Sequence, residues 1–349
     1  MSEAASPSVR KARRKGSAVT MAEVAAAAGV SMQTVSRALR APGTVTAETR
    51  QAIEAAIEKT HYVQNLAASH LASARSNTVA AIIPTLSASV FAETIQHFSQ
   101  VLNAANYQIF LGNTDYRPDR EEAVVRSLLG RRPDGVFVIG TQHTRACTGL
   151  LRRAGIPVVE GWDQTRRPID GLVGFSNEAA IAAMAKHLAD TGRRRIVFAG
   201  VLRRGDARAA ERRDGFLAAM ATLFPGEAPR LCIAADLPLA MESGACLLER
   251  VRAEHVDADA VMFSSDVIAA GALLAAGRQG IAVPGEIAIT GFGDFELARH
   301  LNPALTTVAV PAATIGREAG RLLLEGMSGR PLADKRIDVG FRLMIRDSA

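Results

Sequence analysis

Cysteine is sparse in this 349-residue chain, and the three present, Cys147, Cys232 and Cys246, are an odd number and widely spaced. No C-x-x-C occurs and no histidine stands at ligand spacing from them. They read as small buried hydrophobes in a reducing compartment rather than as a disulfide framework or a metal site. Long apolar runs are also missing. The most hydrophobic stretches, such as Thr78–Pro84 and Ile196–Leu202, fall far short of the roughly 20 residues a helix needs to cross a bilayer. The basic N-terminus (Arg10, Lys11, Arg13, Arg14, Lys15) is not followed by the apolar core of a secretory signal. A cytoplasmic location without a membrane partner is therefore expected. Catalytic signatures are lacking as well: there is no G-x-G-x-x-G after a strand, no G-x-x-x-x-G-K-[ST], no G-x-S-x-G and no H-E-x-x-H. Together with seven scattered histidines, this gives the expectation of a non-enzyme without cofactor or metal.

What is present is an ordinary globular composition, 48% hydrophobic and 22% charged. This excludes a wholly disordered chain, a collagen or a disulfide-stapled miniprotein. The length suits two or three domains. Charge is unevenly spread. Residues 1–76 hold ten Lys/Arg against five Asp/Glu, whereas the remainder holds thirty-one against thirty. A basic module that meets a polyanion, joined to a near-neutral body, accounts for this asymmetry; a solvated basic tail accounts for it equally well.

Four zones follow. Residues 1–18 read as a disordered basic arm, 19–62 as a helical module, 63–77 as a polar linker with isolated leucines, and 78–349 as a body. In the body, short apolar runs (Val79–Ile83, Gln108–Leu111, Gly135–Ile139, Val158–Glu160, Ile196–Ala199, Leu231–Ala234, Ala260–Phe263, Ile287–Gly291) alternate with helix-length amphipathic segments. That alternation predicts an α/β fold of two doubly wound parallel-sheet lobes.

The stretch Thr20–Leu39, TMAEVAAAAGVSMQTVSRAL, begins with a Thr20/Glu23 capping box. Gly29 stands where a tight turn needs positive φ, and Ser31 caps a second helix. Met21, Val24, Ala25 and Ala28 face inward from the first helix and Val35 and Leu39 from the second; Thr46 caps a third with Ile53, Ala56 and Ile57 buried. This is helix-turn-helix spacing, in which the second helix enters the major groove. Gln33 and Arg37 suit adenine and guanine edges, and Thr34 and Ser36 suit phosphate oxygens. An alanine-rich hairpin with solvated polar residues would show the same pattern.

The run AEVAAAAGVSMQTVSRAL…VTAETRQAIEAAIEKTHYVQNLAASHLAS, with the later GFGDFELA…NPALTTV, closely resembles the lactose-repressor (LacI/GalR) family of bacterial regulators over almost all of residues 19–349. The resemblance implies a helix-turn-helix headpiece and a periplasmic-binding-protein-like body with an effector between its lobes. It implies Thr20, Ser31, Met32, Gln33, Thr34, Ser36, Arg37 and Asn65 at the DNA, and Leu71 as a hinge-helix wedge in the minor groove. It implies Phe91, Trp162, Phe175, Arg208, Arg212, Ser265 and Asp294 around the effector. One departure matters: sugar-responsive members commonly carry Asp where this chain has Gly293. With Arg203, Arg204, Arg208, Arg212 and Arg213 near the same cleft, an anion is favoured over a neutral sugar, unless those arginines form a solvated helix face. GWDQTRRPIDGLVGFSN resembles the gluconate-utilisation subgroup, implying a sugar acid such as gluconate or 6-phosphogluconate. No heptad tail is present, so a homodimer is expected on a pseudo-palindromic double-stranded operator. The rival readings are a solute-binding protein for a transporter, an α/β enzyme on a sugar acid, and a regulator that uses a corepressor.

Overall fold

The computed structural model describes residues 19–63, 75–332 and 335–349. The expected basic arm, Asn65, Leu71 and most of the 63–77 linker lie outside the described residues. The chain divides into two units between Ala74 and Arg75.

The first unit has three helices: α1 (Met21–Ala28), α2 (Met32–Arg40) and α3 (Ala47–Thr60). Both halves of the capping box form at α1. The Thr20 backbone N–H donates to Glu23 Oε2 at 2.6 Å, and the Thr20 hydroxyl accepts from the Glu23 N–H at 3.4 Å. The turn closes through Gly29 at φ +65°, a left-handed geometry that costs glycine no Cβ clash. Ser31 and Thr46 cap α2 and α3, accepting from the N–H groups of Thr34 at 3.1 Å and Thr49 at 3.3 Å. Val24, Ala25, Val35, Ala38, Ile53 and Ala56 form the core. Leu39 only packs against it, because Ala38 occupies the inward position of α2.

The second unit contains two six-stranded sheets with helices on both faces. Lobe 1 comprises β1 (Thr78–Ile83), α4 (Ser89–Ala104), β2 (Gln108–Asn113), α5 (Pro118–Leu129), β3 (Gly135–Ile139), α6 (Arg145–Arg153), β4 (Val158–Gly161) and β5 (Gly171–Gly174). Lobe 2 comprises α7 (Asn177–Asp190), β6 (Ile196–Val201), α8 (Ala207–Leu223), β7 (Arg230–Ala234), α9 (Met241–Glu254), β8 (Ala260–Phe263), α10 (Asp266–Gln279), β9 (Ala288–Gly293) and β10 (Thr306–Ala309). The chain then returns to lobe 1 with α11 (Ala312–Met327) and β11 (Arg336–Asp338), and ends in lobe 2 with β12 (Arg342–Met344). Strand orders are β11-β5-β4-β3-β1-β2 and β12-β10-β9-β8-β6-β7. All pairs are parallel except β10 with β12. Three chain passages therefore join the lobes, at residues 175–176, 310–311 and 339–341.

The inner strands β1, β3, β4, β6, β8 and β9 are buried along their whole length, which is why they are mostly apolar; Glu160 in β4 is the charged exception. β2 and β7 differ: as edge strands they leave Phe110, Leu111 and Ile233 partly exposed. A continuous core runs through the body, with Phe98 against Phe137 at 4.8 Å in lobe 1 and Phe198 against Phe216 at 5.6 Å in lobe 2. Among the described residues no helix is long and apolar enough to cross a membrane.

A headpiece of this size has little stability in reserve, roughly 3–5 kcal/mol. Ile53→Ala removes a fully buried side chain and should cost about 2–5 kcal/mol. Calorimetry should show the headpiece transition lowered or lost while the transition of the body is unchanged.

Candidate functional sites: a helix face and an interlobe cleft

In the headpiece, the outer face of α2 presents Met32, Gln33 and Arg37, all exposed, with Thr34 and Ser36 half-buried beside them. Thr34 is held by Ser31, whose hydroxyl lies 2.9 Å from its own. Thr20 and Ser31 are engaged in caps. The Arg37 side chain makes no hydrogen bond or ion pair among the described residues, so its guanidinium is free to reach outward. The face has the size and polarity of a groove-reading helix.

In the body, a small cavity of about 120 Å³ opens between the lobes, lined in part by Phe91, Trp162, Arg208, Arg212, Ser265 and Phe292. It shares Tyr116, Asp206 and Arg208 with a larger, more polar space of about 590 Å³ nearer the surface. Together they form one cleft at the carboxyl ends of the strands, where doubly wound folds place their ligands.

The cleft wall is built from rings. Trp162 meets Phe91 edge-on at 4.8 Å and donates its indole N–H to Thr94 Oγ1 at 3.2 Å. Its φ of +72° is a strained conformation for a bulky residue. Phe175 was expected in the wall; it lies behind it instead, 6.2 Å from Trp162 and stacked on Phe292 at 6.3 Å. Ser265 lines the cavity and caps α10, accepting from the Val267 N–H at 3.4 Å. Asp294 does not join the group. Its carboxylate accepts from Arg346 at 2.6 Å, and it lines an adjoining space that shares Val90, Gly293, Phe295 and Val310 with the small cavity. Gly293 precedes Asp294 at φ +130°, where a Cβ would strike the Phe295 ring, and Asp294 itself has φ +52°. Phe295 thus fills the room an acidic side chain would take at position 293, and the chain turns the next residue away.

Arg208 and Arg212 stand one helical turn apart on α8, Arg208 buried and Arg212 half-buried with its Nε enclosed. Their charges are balanced differently. Burial works against the Arg208 cation, but Asp206, Tyr116, Asp163 and Glu211 outweigh it and raise its pKa. Its guanidinium also lies over Phe91 at 5.6 Å. For Arg212 burial wins, with Arg208 adding to it, and the pKa is lowered. Arg212 donates to Asn177 Oδ1 at 2.9 Å and lies over the Phe292 ring at 4.5 Å. Its Nε has no hydrogen-bond partner. Arg203 and Arg204 are exposed at the outer space, and Arg213 pairs with Asp214 at 2.6 Å.

Several participants escaped the sequence reading. Asn177 reaches Trp162 O at 3.4 Å and Glu211 Oε2 at 3.5 Å, besides Arg212, and so ties the aromatic wall to the basic helix. Glu211 Oε1 accepts from Gln142 across the cleft at 3.1 Å. Its carboxyl is pushed up to about 8 by burial and by the neighbouring Asp163. His143 stands between Glu121 at 2.8 Å and Glu160 at 3.4 Å; these carboxylates overcome its burial and push it up to about 9. The signal for Asn177 was local, since Ser176-Asn177 opens a helix directly after a strand. The others come together only in the fold.

A three-helix headpiece carrying an open polar helix face, joined to a two-lobed body with an arginine-lined cleft, defines a ligand-responsive DNA-binding regulator. Comparison with known proteins agrees. The profile of bacterial regulatory proteins of the lacI family matches residues 20–65, and that of the periplasmic binding protein-like domain matches residues 185–349. The HTH-type transcriptional regulator GntR of Pseudomonas aeruginosa is 36% identical over 94% of this chain and 95% of its own. GntR of Escherichia coli K12 is 32% identical over 92% and 96%. The crystal structure of a LacI-family transcriptional regulator from Silicibacter pomeroyi superposes with a TM-score of 0.87 at 36% identity, covering 95% of this chain and 99% of that one. The chain belongs to the lacI family of DNA-binding transcriptional regulators, which is not a family of enzymes.

The Glu211 shift gives stability a sign with pH. The folded state holds this proton more tightly than the unfolded chain, so its contribution is full below about 4.5, declines as pH rises, and is gone above about 8. Glu211→Gln should flatten that fall, which urea midpoints taken across this range will measure.

Proposed function

We propose that this regulator is a repressor of sugar-acid catabolism genes, working in the cytoplasm as a homodimer on a pseudo-palindromic operator and released by an inducer of the gluconate type. The observation that carries the effector class is Arg212: a guanidinium with an enclosed, unpartnered Nε beside the cleft, whose desolvation outweighs the attraction of Asp206 and Glu211. A carboxylate accepts two parallel hydrogen bonds from such a fork and supplies the missing charge. Trp162 and Phe91 offer flat apolar faces to a polyol chain, while Ser265 and Arg208 supply polar partners. The two GntR relatives, at 32–36% identity, lend support to the gluconate type. Phe295 in place of a sugar-binding carboxylate argues against a neutral sugar. In the headpiece, Met32, Gln33 and Arg37 are proposed as the base-reading residues, with Thr20, Ser31, Thr34 and Ser36 toward phosphates; Asn65 and Leu71 complete the contact surface by family resemblance alone.

Release requires the inducer to bind the DNA-incompetent arrangement more tightly. Coupling of about 1–3 kcal/mol changes operator affinity 5–150-fold. The testing experiment is fluorescence anisotropy of a labelled fragment from upstream of the gene, at one salt concentration, with and without gluconate or 6-phosphogluconate. Tight binding lost on adding either acid is expected. Tight binding indifferent to both discards the effector class, and binding strengthened by an acid reverses the sign and makes it a corepressor. Arg212→Ala should bind the fragment normally yet resist release. Arg37→Ala should lower the preference for the fragment over random DNA by about 1–3 kcal/mol; an unchanged preference removes α2 as the reading helix.

A further inference from the structure

The cluster around His143 has no part in the effector contacts proposed above, although Glu121 and His143 both line the outer space of the cleft. Glu121 comes from α5, His143 from the loop after β3, and Cys147 from the first turn of α6. One ligand atom from each lies within 4.8 Å of the other two. His143 and Cys147 stand four residues apart, a ligand spacing that escaped the sequence reading, while Glu121 lies 22 residues before His143 and joins them only in the fold.

We infer that Glu121, His143 and Cys147 form a site for a divalent transition-metal ion, with Zn²⁺ as the best match to a nitrogen, oxygen and sulfur donor set. Ligand atoms around a shared tetrahedral Zn²⁺ stand about 3.3–3.8 Å apart, given bonds of about 2.0–2.3 Å. The cluster departs from that spacing by about an ångström: its widest pair closes from at most 4.8 Å, while Glu121 and His143 Nδ1, at 2.8 Å, open by about half an ångström. His143 Nδ1 is the nitrogen on the Glu121 side, at 2.8 Å; the ion takes the place of the proton shared there.

Two further observations point the same way. The other ring nitrogen, Nε2, is buried in a side chain only 2% exposed and makes no hydrogen bond. Its nearest acceptor is Glu160 Oε1, at 3.4 Å, from a carboxylate that is itself 2% exposed and holds the Ile169 N–H with its second oxygen at 2.5 Å. A carboxylate behind a metal-binding histidine is the arrangement that fixes the imidazole tautomer and raises its basicity. Charge also fits. A divalent cation with a Cys147 thiolate, a neutral His143 and the Glu121 and Glu160 carboxylates carries one net negative charge, no more than the two carboxylates carry around an imidazolium without it. The donors occupy three corners; Glu121 and His143 line the outer space of the cleft, from which a water can complete the shell, as in metal sites that stay open.

This inference stands apart from the sugar-acid reading, and its test uses no DNA and no sugar acid. The full-length, tag-free protein, carrying Cys246→Ser to remove the exposed thiol, is titrated with Co²⁺ alone and then with Zn²⁺ in competition with a chromophoric chelator. The expected result is one ion per chain, with the intense near-ultraviolet charge-transfer band of a thiolate-bound Co²⁺ that Zn²⁺ abolishes. Cys147→Ser should remove the band. Glu121→Gln, at the rim of the cleft and without consequence for the core, should retain the fold and weaken Zn²⁺ at least tenfold. Glu160→Gln should weaken it by about 10–100-fold. Absence of the band in the unsubstituted protein overturns the site. So does metal binding that a folded Glu121→Gln variant leaves unchanged.

Discussion

A cation whose desolvation outweighs the acids around it is the constraint on which this cleft turns. Removing a guanidinium from water is costly unless other groups replace its hydration. Arg212 receives one neutral amide oxygen and one aromatic face, while the nearest acid on its own helix, Glu211, is pushed toward its neutral form. The fold can hold this because Asn177 anchors the side chain and the Phe292 ring carries it from below. The unmet requirement is directional: it asks for an anion, delivered from between the lobes.

The rest of the body makes that requirement a mechanical one. Arg212, Arg208 and Glu211 ride on α8 in lobe 2, whereas Phe91, Trp162 and Gln142 belong to lobe 1. The lobes are joined by three chain passages, and each sheet takes its last strand from the far end of the chain. A ligand that touches both walls therefore changes the relative energy of open and closed arrangements, which is how a two-lobed body converts occupancy into a conformational bias. Asn177, at the first passage, contacts both walls at once and sits where such a bias is transmitted.

Much of this could be read along the chain. The headpiece was, because its caps, its Gly29 turn and its buried stripe are local features with fixed spacings. The inner strands were, because full burial makes them mostly apolar. Strand β5, Gly171–Gly174, escaped because two of its four residues are glycines that carry no hydrophobic signal. β11 and β12 escaped because each has three residues and mixed polarity. At the cleft, Phe91, Trp162, Arg208, Arg212 and Ser265 gather around one space, and their residue types already suited it. Asp294 does not, since its direction depends on the Gly293 backbone and on how Phe295 packs, neither of which a pattern encodes. Asn177, Glu211 and the Glu121–His143–Cys147 cluster owe their meaning to partners tens of residues away, so only the fold assembles them.

Trp162 is the only tryptophan in the chain. Its indole is edge-on to Phe91, donates to Thr94, and forms part of the cleft lining. The tryptophan emission of the whole protein thus originates at one point, on the wall the effector would touch and close to a buried arginine. The molecule carries its own optical reporter at the place where the two lobes meet, and lobe movement and ligand occupancy can both be followed there without a label.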